Sequence, residues 1–445
     1  MASTMKNAAT RGQPRALAEI ASMVLGQAPH AVLLSGPGSI GKTTLALDLA
    51  AGLLCRDPDP AERPCRACRG CRLVASGNHL DLHRLAPEGP GRQVKIGALT
   101  NPDPGTARHL IGELALLPAE GGARVAIVEQ ADRLNEEAQN ALLKLLEEPP
   151  AGVTIVLCAD DDECLLPTVR SRCARVRLSA VGSREIEDWL GELGVADAPH
   201  AARLARIAAG RPGLALAYAR STVAERFRGE IARGILDMLS ARRQARLAAI
   251  REMMKSAVAL DAALAVARRD NTATDLGKGP SGPTGTSGRG RKGKTAPKML
   301  ATMAATEVGT ADAPTYEADD VAPNDEPLAG KLAASDRRSA AATLMEIWAA
   351  VGRDVAIVKA GGARQLHELE LVDELRAITP AVSGVTLMGF LAQLATVATQ
   401  LDENVNPELA LDVLALAWPH IESGSAPAVS RTAATPGSPH PVGPR

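Results

Sequence analysis

The chain has 445 residues, of which 46% are hydrophobic and 23% are charged, and its formal net charge is −1. This length is enough for two or three domains with separate cores, and the composition is that of a globular protein. Only 2% of the residues are aromatic, which argues against base stacking as the main mode of nucleic-acid binding. The near-neutral charge argues against a global field that attracts DNA or anionic membranes.

Two further properties bear on the compartment in which the chain works. We find no uncharged apolar run of about 18 residues, the length that a membrane span needs, and residues 1–15 lack the apolar core of a signal peptide. We therefore expect a cytoplasmic protein without a membrane span. In a reducing compartment, the seven cysteines favour metal ligands or free thiols over disulfides.

The first 180 residues alternate short apolar runs with helical patterns. Strands are predicted at Ala31–Ser35, Arg124–Val128 and Val153–Leu157. Asn135 can cap the helix that follows the second of these strands, and two consecutive prolines end that helix after Glu148. Continuous apolar strands alternating with helices predict an α/β fold with a parallel sheet covered on both faces.

A phosphate-binding loop follows the first strand and opens a helix. Its glycines allow backbone N–H groups to close around phosphate oxygens, its lysine can reach the terminal phosphates, and the next hydroxyl can bind Mg²⁺. The candidate nucleotide-binding residues in and beside this loop are Gly36, Gly38, Gly41, Lys42, Thr43 and Thr44. The alternative is a loop retained for the fold, with no nucleotide in it.

An acidic strand end is expected beside such a loop. Active ATPases of this type place Asp and then Glu there, to hold Mg²⁺ and to polarise the attacking water. The candidate positions here are Glu129 and Gln130. Glu129 could serve the metal, but Gln130 cannot act as a base, so hydrolysis is expected to be slow or absent. Alternatively, Glu129 and Asp132 merely solvate the strand end.

Four cysteines follow the first helix with the spacing Cys-x9-Cys-x2-Cys-x2-Cys. Four thiolates suit tetrahedral Zn²⁺ and leave no open coordination position, which indicates a structural site. The alternatives are free thiols or a redox pair. Nearby arginines would offset the charge of the site. The candidate zinc ligands are Cys55, Cys65, Cys68 and Cys71.

Several other cysteines and histidines have simpler interpretations. Cys158, Cys164 and Cys173 lie apart and are interpreted as small core residues. The alternating trio that runs from His79 to His83, with Asp81 between them, is interpreted as a strand with one polar face, and a metal site is the alternative.

The rest of the chain is predicted to be helical, with two segments of biased composition. Short helices are expected at 181–222, and longer ones at 223–270 and 337–422. The stretch 271–336 lacks the apolar residues that would offset its ordering entropy, so disorder is expected there and in the tail 423–445. A basic run at 289–294 is interpreted as a solvated linker, with a transient phosphate contact as the alternative.

Over residues 11 to about 220, the chain resembles the delta-prime family of bacterial DNA polymerase III, which are clamp-loader subunits of the AAA+ class. The resemblance rests on the phosphate loop, the four-cysteine module and Arg124–Asp132. Leu134–Pro150 is its most specific stretch. The matching segments also include Pro29–Gly36, Leu116–Gly122 and Leu165–Cys173.

This resemblance implies three domains. Residues 1–180 would form an AAA+ domain with a zinc module at 55–71, residues 181–222 a helical lid, and 223–270 with 337–422 an all-α collar that joins subunits in a ring. The insert at 271–336 has no counterpart in the family pattern. The implied partners are the motor (tau/gamma) and delta subunits, with the sliding clamp and primed DNA reached through the complex. No polymerase site of its own is implied.

The resemblance also assigns roles to single residues. In this family the arginine of a Ser-Arg-Cys motif reaches a neighbouring subunit's ATP site, so Arg172 would be a trans-acting arginine finger. Motor subunits carry Asp-Glu at 129 and 130, an arginine at the position of Gly213 and polar phosphate sensors near 158–160. Gln130 and Gly213 depart from that pattern. At the sensor positions, Cys158, Ala159 and Asp160 fit it poorly.

We therefore expect a subunit that completes a neighbour's ATP site, with little or no ATPase activity of its own. ATP and Mg²⁺ remain possible ligands of its own loop. The first alternative is the ATP-hydrolysing motor subunit of the same loader, favoured by the intact Lys42-Thr43 pair. The second is a zinc-dependent nucleic-acid binder whose cysteine module touches DNA.

Overall fold

The structure is a computed structural model. It describes residues 5–26, 28–87, 93–120, 122–274, 333–362, 366–402 and 405–421. Most of the predicted insert (residues 275–332 of it) and the whole predicted tail (423–445) lie outside the described residues, so their predicted disorder stays a prediction.

Five short parallel strands form a single sheet in the first part of the chain. The strand order is β2-β3-β4-β1-β5, and every neighbouring pair is parallel. The predicted parallel α/β fold is thereby confirmed, with the third predicted strand two residues longer than expected. The strands are β1 (Ala31–Ser35), β2 (Leu82–Leu85), β3 (Arg124–Val128), β4 (Val153–Ala159) and β5 (Ala174–Arg177).

Helices cover both faces of this sheet because its three inner strands, β1, β3 and β4, are buried on both sides. Val32 and Leu34 of β1 point into one core, and Ala31 and Leu33 into the other, as the alternation of side chains along a strand requires. Asn135 accepts a hydrogen bond from the Ala138 N–H, which confirms the predicted helix cap. The helices are α1 (Pro14–Leu25), α2 (Lys42–Leu53), α3 (Arg69–Ala75), α4 (Ala107–Leu114), α5 (Glu136–Glu147) and α6 (Pro167–Arg170).

The described residues beyond β5 form helices around one further core. That core runs from Val181 to Ile421 and includes an aromatic cluster in which Phe390 packs on Trp348 and Trp418 at centroid distances of 5.3 and 4.6 Å. The helices are α7 (Ser183–Glu192), α8 (Ala198–Ile207), α9 (Pro212–Ala219), α10 (Thr222–Asp237), α11 (Arg243–Thr274), α12 (Ala334–Lys359), α13 (Val372–Ile378), α14 (Gly384–Asp402) and α15 (Pro407–Ala417).

Helices extend past both predicted limits of the insert. The helix α11 continues to Thr274 and α12 begins at Ala334, so residues 271–274 and 334–336, which were expected to be disordered, are helical. The change in composition indicated roughly where the insert begins and ends. The helices on either side, α11 and α12, extend a few residues further than their apolar patterns.

The expectation that the chain has no uncharged run long enough to span a membrane is wrong for α14. Residues 384–401 are uncharged and have a mean hydropathy of 1.3. One stripe of this helix, which includes Leu387, Phe390 and Leu394, is buried in the helical core, while Val385 on another face is 86% exposed. The helix is therefore a packed element of the bundle rather than a membrane span.

Two other sequence interpretations need correction. His79 and Asp81 precede β2 rather than lying in it, and both are buried, so the trio is not the polar face of a strand. Asp81 instead accepts hydrogen bonds from backbone N–H groups far along the chain. Of the three isolated cysteines, Cys158 is a core residue as expected, but Cys164 is exposed and Cys173 is only partly buried.

Candidate functional site

The phosphate loop lies between the end of β1 and the first turn of α2. Gly36 has a φ of 149° and Gly41 a φ of 110°, conformations that favour glycine. A Cβ at Gly36 would lie 2.6 Å from the Leu178 carbonyl oxygen, so a side chain cannot be accommodated there. Thr43 and Thr44 lie half-buried in the first turn of α2. The predicted nucleotide-binding residues are therefore brought together at a helix N-terminus, where an anion is favoured.

Lys42 is buried, and its ammonium group bonds to the loop from within. Its Nζ donates to the carbonyl oxygens of Gly36 at 2.6 Å and Pro37 at 2.8 Å. It also lies 2.6 Å from Oδ1 of Asp160, which follows the last residue of β4. Because β1 and β4 are neighbouring parallel strands, their carboxyl ends place Asp160 beside the loop.

The carboxylates at this edge of the sheet are not free. Arg84 donates from Nε at 2.8 Å and Nη2 at 2.5 Å to Oε1 of Glu129, so the acid expected to hold Mg²⁺ is engaged by an arginine. Asp132 accepts a hydrogen bond from the Asp160 N–H at 3.1 Å. Burial raises the pKa of the Asp132 carboxyl above its ordinary value. Gln130 has a φ of 52° and marks the turn between these two acids.

The beginning of α9 contacts the phosphate loop directly. The Gly213 N–H donates to the Ser39 carbonyl oxygen at 3.0 Å, and a Cβ at Gly213 would lie 2.9 Å from the same oxygen. The backbone of Gly213 therefore packs directly on the backbone of the phosphate loop at Ser39. Gly213 is the position at which the family resemblance would place an arginine in motor subunits. Arg211 is not a substitute, because its guanidinium pairs with Glu346 at 2.9 Å.

The four predicted metal ligands form one cluster. The Sγ atoms of Cys55, Cys65, Cys68 and Cys71 all lie within 4.8 Å of one another. A tetrahedral zinc site with Zn–S bonds of about 2.3 Å places its sulfurs about 3.8 Å apart. The Sγ atom of Cys55 lies 3.5 Å from that of Cys65 and 3.9 Å from that of Cys68, so the cluster needs only small adjustments to hold the ion. Cys55 follows α2, and Cys68 caps α3, accepting from the Cys71 N–H at 3.4 Å.

Backbone N–H groups around the cluster favour the ionised form of one thiol, that of Cys68. Although burial acts in the opposite direction, the N–H groups of Arg56 and Cys71 lower the pKa of the Cys68 thiol to about 6. Burial raises the pKa of the Cys71 thiol. Three of the nearby arginines pair with carboxylates, Arg56 and Arg69 with Glu120 and Arg66 with Asp48.

The predicted arginine finger lies away from the phosphate loop. Arg172 follows α6, donates from Nη1 to the Thr168 carbonyl oxygen at 2.9 Å and pairs with Glu147 at 2.5 Å. Its side chain is 35% exposed. The sequence analysis named Asp160 only as a poor match to the phosphate-sensing positions, and it did not single out Glu147. The rule that carboxyl ends of parallel strands share an edge could have pointed to Asp160, whereas Glu147 carried no signal.

Comparisons with known proteins find related sequences for the first part of the chain. Residues 12–182 match the family model described as "DNA polymerase III, delta subunit". The chain is 37% identical over 164 residues to DNA polymerase III subunit delta' of Pseudomonas aeruginosa, a match that covers 37% of this chain and 47% of that protein. It is 35% identical over 198 residues to the delta' subunit of Escherichia coli, covering 44% and 57%.

The tau subunits are similar at nearly the same level. DNA polymerase III subunit tau of Escherichia coli is 34% identical over 205 residues, covering 45% of this chain and 30% of that protein. A solved structure, a DNA polymerase III gamma subunit-related protein from Thermotoga maritima, covers 90% of this chain and 97% of that one with a TM-score of 0.35 and 16% identity. The chain spans about half the length of the delta' relatives described above. The resemblance to the delta-prime subunits of DNA polymerase III is therefore confirmed for residues 12–182.

Proposed function

We propose that this chain is a clamp-loader subunit of the bacterial replicative DNA polymerase and helps to load the sliding clamp onto primed DNA in the cytoplasm. The match of residues 12–182 to delta-prime relatives supports this role. Residues 181–222 would act as the lid, and residues 223–270 with 337–422 as the collar that binds other subunits; the common helical core of these segments is consistent with both. The partners are the motor (tau/gamma) and delta subunits, and the clamp and DNA are reached through the complex.

Within that complex, Arg172 supplies a guanidinium to the ATP site of a neighbouring subunit. The observation that carries this role is the position of Arg172 at the surface. The side chain is 35% exposed, and its terminal nitrogens contact the Thr168 carbonyl oxygen (Nη1) and the Glu147 carboxylate (Nη2). A guanidinium at the surface can stabilise negative charge that develops on a partner's bound phosphates, once it exchanges these contacts for the phosphate oxygens.

The chain's own loop would bind nucleotide without rapid turnover. Active ATPases of this type usually have a free carboxylate at the strand end to polarise the attacking water. Glu129 is paired with Arg84, and Gln130 is uncharged. Lys42 and Thr43 retain the residue types that hold phosphates and Mg²⁺, so weak or absent ATPase activity is the expected property of the isolated chain.

The cysteine cluster would hold a structural zinc ion. Cys55, Cys65, Cys68 and Cys71 supply four sulfurs in a compact group, which fits a closed tetrahedral site. The zinc would tie the end of α2 to the start of α3. Its role as a DNA contact is less well supported, because Arg56, Arg66 and Arg69 pair with carboxylates of the chain itself.

The arginine role is tested by substitution in the assembled complex. Arginine fingers contribute about 10³–10⁵ to kcat, so Arg172→Ala should lower hydrolysis at the interface that it serves by about tenfold or more, with assembly unchanged. Arg175→Ala is the matched control, since Arg175 is an exposed arginine three residues away. Equal turnover by the complexes containing either variant and the wild-type chain would contradict the role of Arg172.

The alternative is that the chain is itself an ATP-hydrolysing motor subunit of the loader. The intact Lys42-Thr43 pair and the 34% identity to a tau subunit favour it. ATP turnover by the isolated chain that is lost in Lys42→Ala would support this alternative.

A further inference from the structure

The ammonium group of Lys42 has all three of its donors engaged inside the protein. A lysine ammonium can donate three hydrogen bonds. The acceptors here are the carbonyl oxygens of Gly36 and Pro37 and the Oδ1 atom of Asp160, at 2.6, 2.8 and 2.6 Å. The lysine side chain is only 8% exposed. A phosphate can therefore bind this ammonium only by displacing at least one of these three oxygens.

Asp160 is the charged member of this set, and it lies over the phosphate loop. A Cβ built at Gly38 would lie 3.0 Å from Oδ2 of Asp160, so both carboxylate oxygens face the loop, one towards Lys42 and one towards the glycine. The Asp160 backbone is fixed by the preceding pairing of Ala159 with Ser35 and by its N–H bond to Asp132.

We propose that Asp160 is an affinity-determining residue of the phosphate loop, and that its carboxylate competes with the phosphates of a nucleotide for the ammonium of Lys42. This inference rests on nucleotide binding at the loop, which is part of the function proposed above. A nucleoside triphosphate brings more negative charge to the lysine than a diphosphate does, so the carboxylate discriminates more strongly against the triphosphate.

The charge balance around Lys42 supports this competition. Asp132 is hydrogen-bonded to the Asp160 N–H and adds further acidic character on the strand side of the loop. Glu129 lies at the end of the next strand, β3, but its charge is offset by the two hydrogen bonds that Arg84 donates to its Oε1 atom. Replacing Asp160 with Asn keeps the size of the side chain and its backbone hydrogen bond but removes the negative charge beside Lys42.

The test is nucleotide binding by the purified full-length chain, measured by calorimetry with ATP and with ADP, each with and without Mg²⁺. Asp160→Asn should bind ATP more tightly by about threefold to tenfold, the range expected for a half-exposed ion pair plus relief of repulsion with phosphate. The gain for ADP should be smaller. Asp161→Asn is the matched control, because Asp161 caps the next turn and Asn preserves a cap. Thermal melting of each variant establishes that it is folded.

Each outcome distinguishes this inference from the proposed nucleotide site. Unchanged affinity in Asp160→Asn, with binding abolished in Lys42→Ala, would overturn the competition and leave the nucleotide site standing. Weaker binding of Asp160→Asn only in the presence of Mg²⁺ would make Asp160 a metal ligand and also overturn the competition. If neither the wild-type chain nor Asp160→Asn bound nucleotide, both the competition and the proposed nucleotide site would be overturned. Tighter ATP binding by Asp160→Asn, and not by Asp161→Asn, is the result that the structure predicts.

Discussion

Asp81 is the buried carboxylate whose removal should affect the sheet domain most clearly. It is 1% exposed and accepts hydrogen bonds from the Ala119 N–H at 2.7 Å and the Glu120 N–H at 3.0 Å. It also pairs with Arg124, a buried arginine at the start of β3, at 3.1 Å. Through these contacts Asp81 anchors the segment between α4 and β3, which is one of the stretches that match the delta-prime family.

The size of the effect follows from what Asp81→Ala leaves behind. Removing one partner of a buried ion pair costs about 3–5 kcal/mol. Arg124 keeps two acceptors, the carbonyl oxygens of Glu113 and Leu117, so we expect a value near the lower end, about 3 kcal/mol. For a domain of this size, each kcal/mol lowers Tm by about 2–4 °C, which gives a fall of about 6–12 °C. Asp81→Asn should cost less, since an amide oxygen can still accept.

The assay is scanning calorimetry of the purified chain, with Asp103→Ala as the control because Asp103 is exposed. A surface substitution of this kind changes stability by about 0.5 kcal/mol or less. A Tm for Asp81→Ala within about 2 °C of the control would refute the reasoning, because it would mean that Arg124 does not need its carboxylate.

The pH dependence of this contribution has a defined sign. Burial raises the pKa of Asp81, but the N–H groups of Ala119 and Glu120 and the Arg124 guanidinium outweigh it and hold the pKa below its ordinary value. Such a group stabilises the fold fully above its unfolded pKa of about 3.9, and the stabilisation is lost as the pH falls through the folded value. The Tm difference between wild type and Asp81→Asn should therefore narrow below about pH 4; a constant difference would contradict this assignment.

Three further predictions concern the other sites. Cys65→Ser should lose bound zinc, measured by elemental analysis, while Cys164→Ser, outside the cluster, should keep a full equivalent; retention by Cys65→Ser would contradict the four-cysteine site. Gly213→Val should lower Tm, since its Cβ would meet the Ser39 carbonyl oxygen at 2.9 Å; an unchanged Tm would mean that the α9 contact is loose. Trp348→Ala should cost about 3–5 kcal/mol in urea unfolding, because the side chain is fully buried in an aromatic cluster; less than about 1 kcal/mol would contradict that packing.

Much of the fold could be predicted because its signals are local. The apolar runs that became β1, β3 and β4 are short and continuous, and the cap at Asn135 is encoded within four residues. The phosphate loop and the cysteine cluster could also be predicted from the sequence, because the residues of each lie close together along the chain.

The parts that could not be predicted depend on contacts between distant segments. Asp81 was interpreted as a strand residue because its partners, Ala119, Glu120 and Arg124, come about forty residues later. The pairing of Lys42 with Asp160 joins the first residue of α2 to the residue after β4, and the strands that precede them are neighbours only in the folded sheet. The periodicity of residues along the sequence does not reveal such ion pairs directly. These pairs determine which acidic groups at the site are free.

The central claim is that this chain completes a neighbour's ATP site rather than turning over ATP at its own. The most direct measurement is steady-state ATP hydrolysis by the purified chain alone, and by its mixture with the motor and delta subunits, clamp and primed DNA. We predict negligible turnover by the chain alone and turnover in the mixture that depends on Arg172. Robust turnover by the chain alone that is lost in Lys42→Ala, with no effect of Arg172→Ala in the mixture, would contradict the account and identify a motor subunit.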